Sequence, residues 1–326
     1  MRKYASAAAL LFMASQPGSQ TPLNMVRAVE LPHVEGRIDH LALDPAGDRL
    51  FVAALGNNTV EVVDVKNGTH IKSLSGFHEP QGIAVAAEAK VTAVANGQGS
   101  GVQLVGLDDY RLGRAVSLGD DSDNVRYDAA AKKLYVGYGG GALAAVNPSA
   151  AKAVGSVKLA GHPESFQLER GGPRIFVNVP NAEQIAVVDR NAMKITATWP
   201  VSDARSNYPM ALDEDNHRLF VGCRKPATVL IYDATNGKKI GAAETVGDTD
   251  DMFYDARLKR VYVAGGEGFV DVLDAREQTT LTRLARIKTS PGARTALFAP
   301  NQGRLYLAVP HRGAQRAEIR VYEVRE

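Results

Sequence analysis

The chain has 326 residues, 45% of them hydrophobic and 23% charged, an ordinary globular composition with ample material for a large core. A single cysteine, Cys223, excludes an internal disulfide and any cysteine-based metal cluster. The formal charge is only +2 and falls to zero once Arg2 and Lys3 are set aside with the first 20 residues, so neither nucleic acid nor an anionic membrane is an expected partner.

The N-terminus reads as an export signal over residues 1–20. Arg2 and Lys3 precede a short apolar run, Ala7 to Ala14, and a turn-rich stretch, Ser15 to Gly18. That run is too short to span a bilayer. No clean Ala-x-Ala triplet marks a cleavage site, and the alternative is a disordered tail. A periplasmic or secreted protein without a membrane span is the expectation, acting as a monomer.

From residue 24 onward the pattern is a repeat. A basic residue followed by a short apolar–aromatic strand recurs, with the first apolar residue at Leu50, Val91, Leu134, Ile175, Leu219, Val261 and Leu305. The spacings are 41, 43, 41, 44, 42 and 44 residues. A period in the low forties with four short strands per unit predicts an all-β fold, a seven-bladed β-propeller over residues 24–326. The first unit shows the logic. Strand A starts at His40, a Pro-Ala-Gly-Asp turn leads to strand B at Arg49, and Gly56 to Thr59 makes a hairpin into strand C. Asn67-Gly68 then turns the chain into strand D at His70. Asp233 to Gly237 and Asp274 to Glu277 reuse the turn chemistry of Asp64 to Gly68.

The last unit stops after strand C, at residues 318–324. Residues 24–31 resemble the strand D segments beginning at Leu112 and Leu281. They are predicted to pair with 318–324 and close the ring, which removes an exposed sheet edge.

These repeated strand starts resemble those of the bacterial YncE-like, or YVTN-repeat, propellers, and the resemblance covers residues 24–326. The phrases GRIDH (36–40), HPESFQLE (162–169), GDTDD (247–251) and PGARTALF (291–298) look like one branch of that family. The resemblance implies the fold and an exported protein. It leaves function open, because the superfamily mixes binding proteins with enzymes.

Propeller topology places the residues just before each strand A in a ring around the axial channel. Seven equivalent slots read Asp39, Gln81, Asp123, Glu164, Tyr208, Asp250 and Arg294, all polar and no two neighbours alike. A non-repeating polar set inside a repeat points to a ligand or reaction at the axis. The plainer explanation is that these groups cap strands and form inter-blade salt bridges around a wet channel. The expected ligand-binding set is Arg37, Asp39, Gln81, Asp123, Asn124, Asn207, Asp250, Asp251 and Arg294. Asp123, Asn124, His162 and Glu164, on neighbouring blades, are the expected cation ligands. Hard oxygen donors suit Ca²⁺ or Mg²⁺, and the imidazole admits Zn²⁺ or Mn²⁺. Arg126 is the competing partner, able to neutralise the acids instead.

His40, His162 and Glu164 are the candidate acid–base groups. Cys223 is read as a hairpin residue rather than a nucleophile. Arg224, in the strand B to C loop, is read as solvated rim. No Cys-x-x-Cys-His, Gly-x-Ser-x-Gly or dinucleotide fingerprint is present, and Trp199 is the lone tryptophan, so haem, NAD and quinone cofactors are not expected. A small-ligand or metal-binding propeller is the first reading. A metal-assisted lactonase or sugar-acid lyase at the same site is the alternative, and a protein-interaction scaffold the third.

Overall fold

The computed structural model describes residues 21–99 and 101–326; the expected export signal lies outside the described residues. Its strands form seven four-stranded antiparallel sheets, a seven-bladed β-propeller. Six blades are made of consecutive strands. The seventh joins Ala296–Ala299, Arg304–Val309 and Glu318–Val324 to the N-terminal strand Leu23–Glu30. Leu23 stands opposite Val324 and Glu30 opposite Glu318, so the two ends of the chain close the ring as predicted.

Burial explains the strand pattern. In blade 1, strand B (Arg49–Ala54) is buried on both faces after its first residue, because neighbouring blades cover both sides. Strand D (Thr69–Leu74) lies at the outer edge and is mostly exposed. The core is accordingly distributed in layers between blades. One layer packs Tyr135 and Leu143 of blade 3 on Phe166 and Ile175 of blade 4. Another packs Tyr306 and Ile319 of blade 7 on Leu41 and Val52 of blade 1, sealing the closure. No helix among the described residues is long and apolar enough to cross a membrane.

The basic residue that opens strand B in the repeat has a structural job. Arg49 donates from Nε to Asp44 Oδ2 at 2.9 Å and from Nη1 to the Leu107 carbonyl of blade 2 at 2.9 Å. Arg174 bonds Glu169 and the Ala234 carbonyl of blade 5, and Arg218 bonds Asp213 and the Ala275 carbonyl of blade 6. Arg260 reaches the Arg325 carbonyl. Each arginine thus ties the strand A to B turn of its own blade to the backbone of the next.

In the first hairpin the left-handed residue is Asn58, with φ 57°. Gly56 serves close approach instead: a Cβ there would stand 2.7 Å from the Arg37 backbone nitrogen.

Candidate functional site

The connection from strand D to strand A is built alike in four blades. Glu79, Asp121, Ser206 and Asp248 all take left-handed backbone, with φ between 51° and 58°. Strand A begins at the next residue in blades 2, 3 and 6 and one residue before Ser206 in blade 5, and its register is irregular at the second residue beyond each of these positions. Ser122 pairs with Tyr138 and Val125 with Val136, which leaves Asp123 and Asn124 outside the ladder. Gln81 with Gly82, Tyr208 with Pro209, and Asp250 are passed over in the same way in blades 2, 5 and 6. A bulge bends the strand and re-aims its side chains. Here it turns four of the seven slot residues toward the axis.

The result is a mouth cavity of about 290 Å³. Six slot residues line it: Gln81, Asp123, Glu164, Tyr208, Asp250 and Arg294. Arg37, Asp121, His162 and Arg224 complete the wall. Asp39, the seventh slot residue, is buried behind the wall and accepts a hydrogen bond from Arg37 Nη2 at 2.8 Å.

The wall has two chemically distinct sides. Blades 3 and 4 bring Asp123, His162 and Glu164 together, with one ligating atom from each within 4.8 Å of the others. His162 Nδ1 lies 2.7 Å from the Gly139 carbonyl and 3.1 Å from Asp121, while Nε2 faces Asp123 at 3.6 Å. Nδ1–H donating to a carbonyl leaves Nε2 as the ligating nitrogen, the usual support for a metal-bound imidazole. Burial works against a proton on His162, yet its bonds to Asp123 and Gly139 and the Asp121 charge raise it to about 9. Burial, and then repulsion from Asp123 and Asp250, pushes Glu164 up to about 8. Asn124 is buried, donates to Asp123 at 3.3 Å and leaves its Oδ1 without a partner among the described residues.

On the opposite side lie three guanidinium groups, those of Arg37, Arg224 and Arg294. Arg294 Nη1 bonds Asp248 at 2.8 Å and its Nε faces Asp250 at 3.3 Å. Arg224 Nη2 bonds Asp250 at 2.8 Å and the guanidinium lies 3.7 Å above the Tyr208 ring. Arg224 is therefore a wall residue rather than solvated rim; the signal that places it is its strand, which runs on through Lys225. Burial, and then the Asp39 charge, raises Asp250 to about 6 despite Arg224.

Beneath the mouth, His40 is 9% exposed and sits between two carboxylates. Its Nδ1 is 3.3 Å from Asp251 and its Nε2 3.7 Å from Asp39. Burial opposes its charge, but Asp251 and Asp39 hold its pKa up at about 10. Asp251 also accepts the Ala296 N–H at 2.9 Å. His40 and Asp251 line a deeper axial cavity, not the mouth. Asn207 turns away from the axis, donating to Asn178 Oδ1 and the Gln184 carbonyl at 3.0 and 3.1 Å, and so stitches blade 5 to blade 4. Cys223 is fully buried, and burial alone pushes its thiol up to about 12. Among the described residues Arg126 makes no ion pair with the mouth acids, and its hydrogen bond is to the Val125 carbonyl.

The arrangement can hold a cation on the blade 3–4 side and an anionic group on the arginine side. No protein-family model matches the chain, and no curated protein matches it in sequence. Among solved structures, a chain of the Mitotic Checkpoint Complex superposes with a TM-score of 0.78 at 12% identity, over 98% of this chain and 99% of that one. A chain of hydrazine synthase from Kuenenia stuttgartiensis gives 0.75 at 16% identity, over 85% and 94%. At such identities the likeness is one of fold.

Proposed function

We propose that this propeller binds a small, polar, anionic ligand at the mouth of its axial channel, assisted by a divalent cation on Asp123, His162 and Glu164. The observation that carries the reading is the convergence of those three donors on one wall of an all-polar cavity. Two carboxyl groups and an imidazole form a borderline donor set, which favours Mn²⁺ or Zn²⁺ over the Ca²⁺ or Mg²⁺ that oxygen donors alone would suggest. The facing guanidinium groups of Arg37, Arg224 and Arg294 still have donors to offer a carboxylate or phosphate. His40 lends no support to the hydrolytic alternative: a histidine that keeps its proton to about pH 10 is a poor general base near neutrality. The repeated strand starts support placing the chain among the YncE-like propellers, and the basic–apolar–polar N-terminus supports export.

Cation binding must expel protons from both His162 and Glu164, whose pKa values are raised to about 9 and about 8. Titration calorimetry of EDTA-stripped protein with MnCl₂ and ZnCl₂ is the test. One site per chain is expected at pH 8.5, weakening by about tenfold or more for each unit of lower pH. Glu164→Gln should weaken it at least about tenfold at pH 8.5. Absence of binding by the wild-type protein at pH 8.5, or unchanged binding by Glu164→Gln, overturns the proposal.

A further inference from the structure

His40 and Asp251 line a second cavity of about 310 Å³, together with residues of the innermost strands. It shares no lining residue with the mouth. Its chemistry is also different. Its wall is mixed: Leu41, Leu43, Ile83, Met210 and Leu297 supply an apolar part, while Arg126, Ser165, Gln167 and the paired His40 and Asp251 contribute polar atoms.

Arg126 is the anomaly. At the strand A to B turns Arg49, Arg174, Arg218 and Arg260 are bonded to carbonyls of the next blade, and at the mouth Arg224 and Arg294 are bonded to carboxylates. Arg126 forms no ion pair among the described residues. Its Nη1 donates to the carbonyl of its own neighbour, Val125, at 2.9 Å, and its guanidinium carbon lies 5.5 Å from the Phe166 ring centroid. A guanidinium has five N–H donors, so most of its capacity is unused. The acids whose charge it feels, Asp251 and Asp123, are engaged elsewhere: Asp251 by His40 and the Ala296 N–H, Asp123 by His162 and Asn124. A guanidinium keeps its charge even when burial opposes it. Arg126 is half-buried, and the planar fork of an unpaired guanidinium suits a carboxylate in two-point contact.

We propose that this inner cavity is a second binding site, for a small amphipathic monocarboxylate whose head group pairs with Arg126 and whose aliphatic or aryl body packs on the apolar part of the wall. The volume lies at the lower end of the range of about 300–1,000 Å³ found for ligand pockets, which limits the body to a short chain or a single ring. Octanoate is a suitable probe, and octan-1-ol has the same chain without the charge.

Calorimetry of purified protein in EDTA should show saturable octanoate binding, with octan-1-ol bound at least about tenfold more weakly. Arg126→Gln should lower octanoate affinity by at least about tenfold and leave octan-1-ol unchanged, while Arg126→Lys retains part of the preference for the acid. The same octanoate affinity with Mn²⁺ in place of EDTA separates this site from the mouth. Failure of octanoate to saturate, equal binding of acid and alcohol, or an unaltered Arg126→Gln protein overturns the proposal. Should Arg126→Gln not fold, Leu43→Glu replaces it. That half-buried position places a competing carboxylate in the cavity, and octanoate affinity that does not fall overturns the proposal equally.

Discussion

At the turn from strand A to strand B, blades 1, 4 and 5 present the same device: an acid closing one strand, an arginine five residues later, and a carbonyl of the next blade beneath the guanidinium. At the opposite end of strand A, blades 2, 3, 5 and 6 also repeat a device, but only in the backbone. A left-handed residue and an irregular strand start recur there, while the side chains they present are Gln81, Asp123, Tyr208 and Asp250. Where the side chain itself repeats, it answers a need every blade shares, the tie to its neighbour. Where only the backbone repeats, each blade contributes different chemistry to one axial cavity. Left-handed backbone at a non-glycine residue is unfavourable by about 1 kcal/mol or more. Four such residues at equivalent places are sustained by their setting, as where the Asp121 and Asp248 carbonyls accept N–H groups of Gly139 and Gly266.

The sharpest way to break this contrast is at Arg218, which is 1% exposed and bonded to Asp213 at 2.6 Å. Removing one partner of a buried pair leaves the other charge uncompensated, with a loss of about 3–5 kcal/mol. Arg218→Ala is therefore expected to lower the urea midpoint strongly while leaving cation affinity at the mouth unaltered. A loss below about 1 kcal/mol would reduce the turn arginines to surface decoration.

Asn207 sharpens the comparison from the other side. Its place in the sequence puts it next to a ring slot, yet the structure gives its amide to Asn178 and Gln184. Asn207→Ala leaves those buried acceptors unpaired and should destabilise the fold by about 1–3 kcal/mol, read by chemical denaturation, with no change in Mn²⁺ binding. Weakened Mn²⁺ binding without destabilisation would return Asn207 to the ligand set.

The blade count and the N-terminal closure were legible because both rest on period and on missing strands, which survive any uncertainty about side chains. The membership of the axial ring was legible in outline for the same reason: six of its seven slots line one cavity. Depth was not legible. His40 adjoins Asp39 in sequence, but strand alternation sends it to the inner cavity. Asn207 and Tyr208 are adjacent, and only one lines the mouth. Arg224 reaches the wall because its strand runs further than a tight hairpin would allow. That Arg126 has no ion-pair partner among the described residues was invisible too, since sequence proximity to Asp123 suggested a pair that the strand geometry does not make.

The smallest expected effect concerns Glu164, and its sign changes with conditions. The carboxyl has an ordinary value of 4.5 and is raised to about 8 in the folded chain. The folded state therefore holds this proton more tightly, so the contribution to stability is full below pH 4.5 and is lost as pH rises through about 8. His162 and His40, raised from 6.5 to about 9 and about 10, lose theirs between pH 6.5 and those values. The cation-free protein should thus melt at progressively lower temperature from about pH 5 to pH 10. Glutamine mimics the protonated carboxyl and has no proton to lose. Glu164→Gln should match the wild type near pH 5 and be more stable near pH 9, by about 1 kcal/mol given a cavity open to water. Adding Mn²⁺ at pH 9 should reverse the order, because only the wild type offers the cation its full donor set. Thermal melts of both proteins, with and without the ion, read all four conditions. A variant that melts below the wild type at pH 9 without Mn²⁺ would make Glu164 a structural partner of the neighbouring cations. The mouth would then be one more set of inter-blade ties, like the turns at the far end of the same strands.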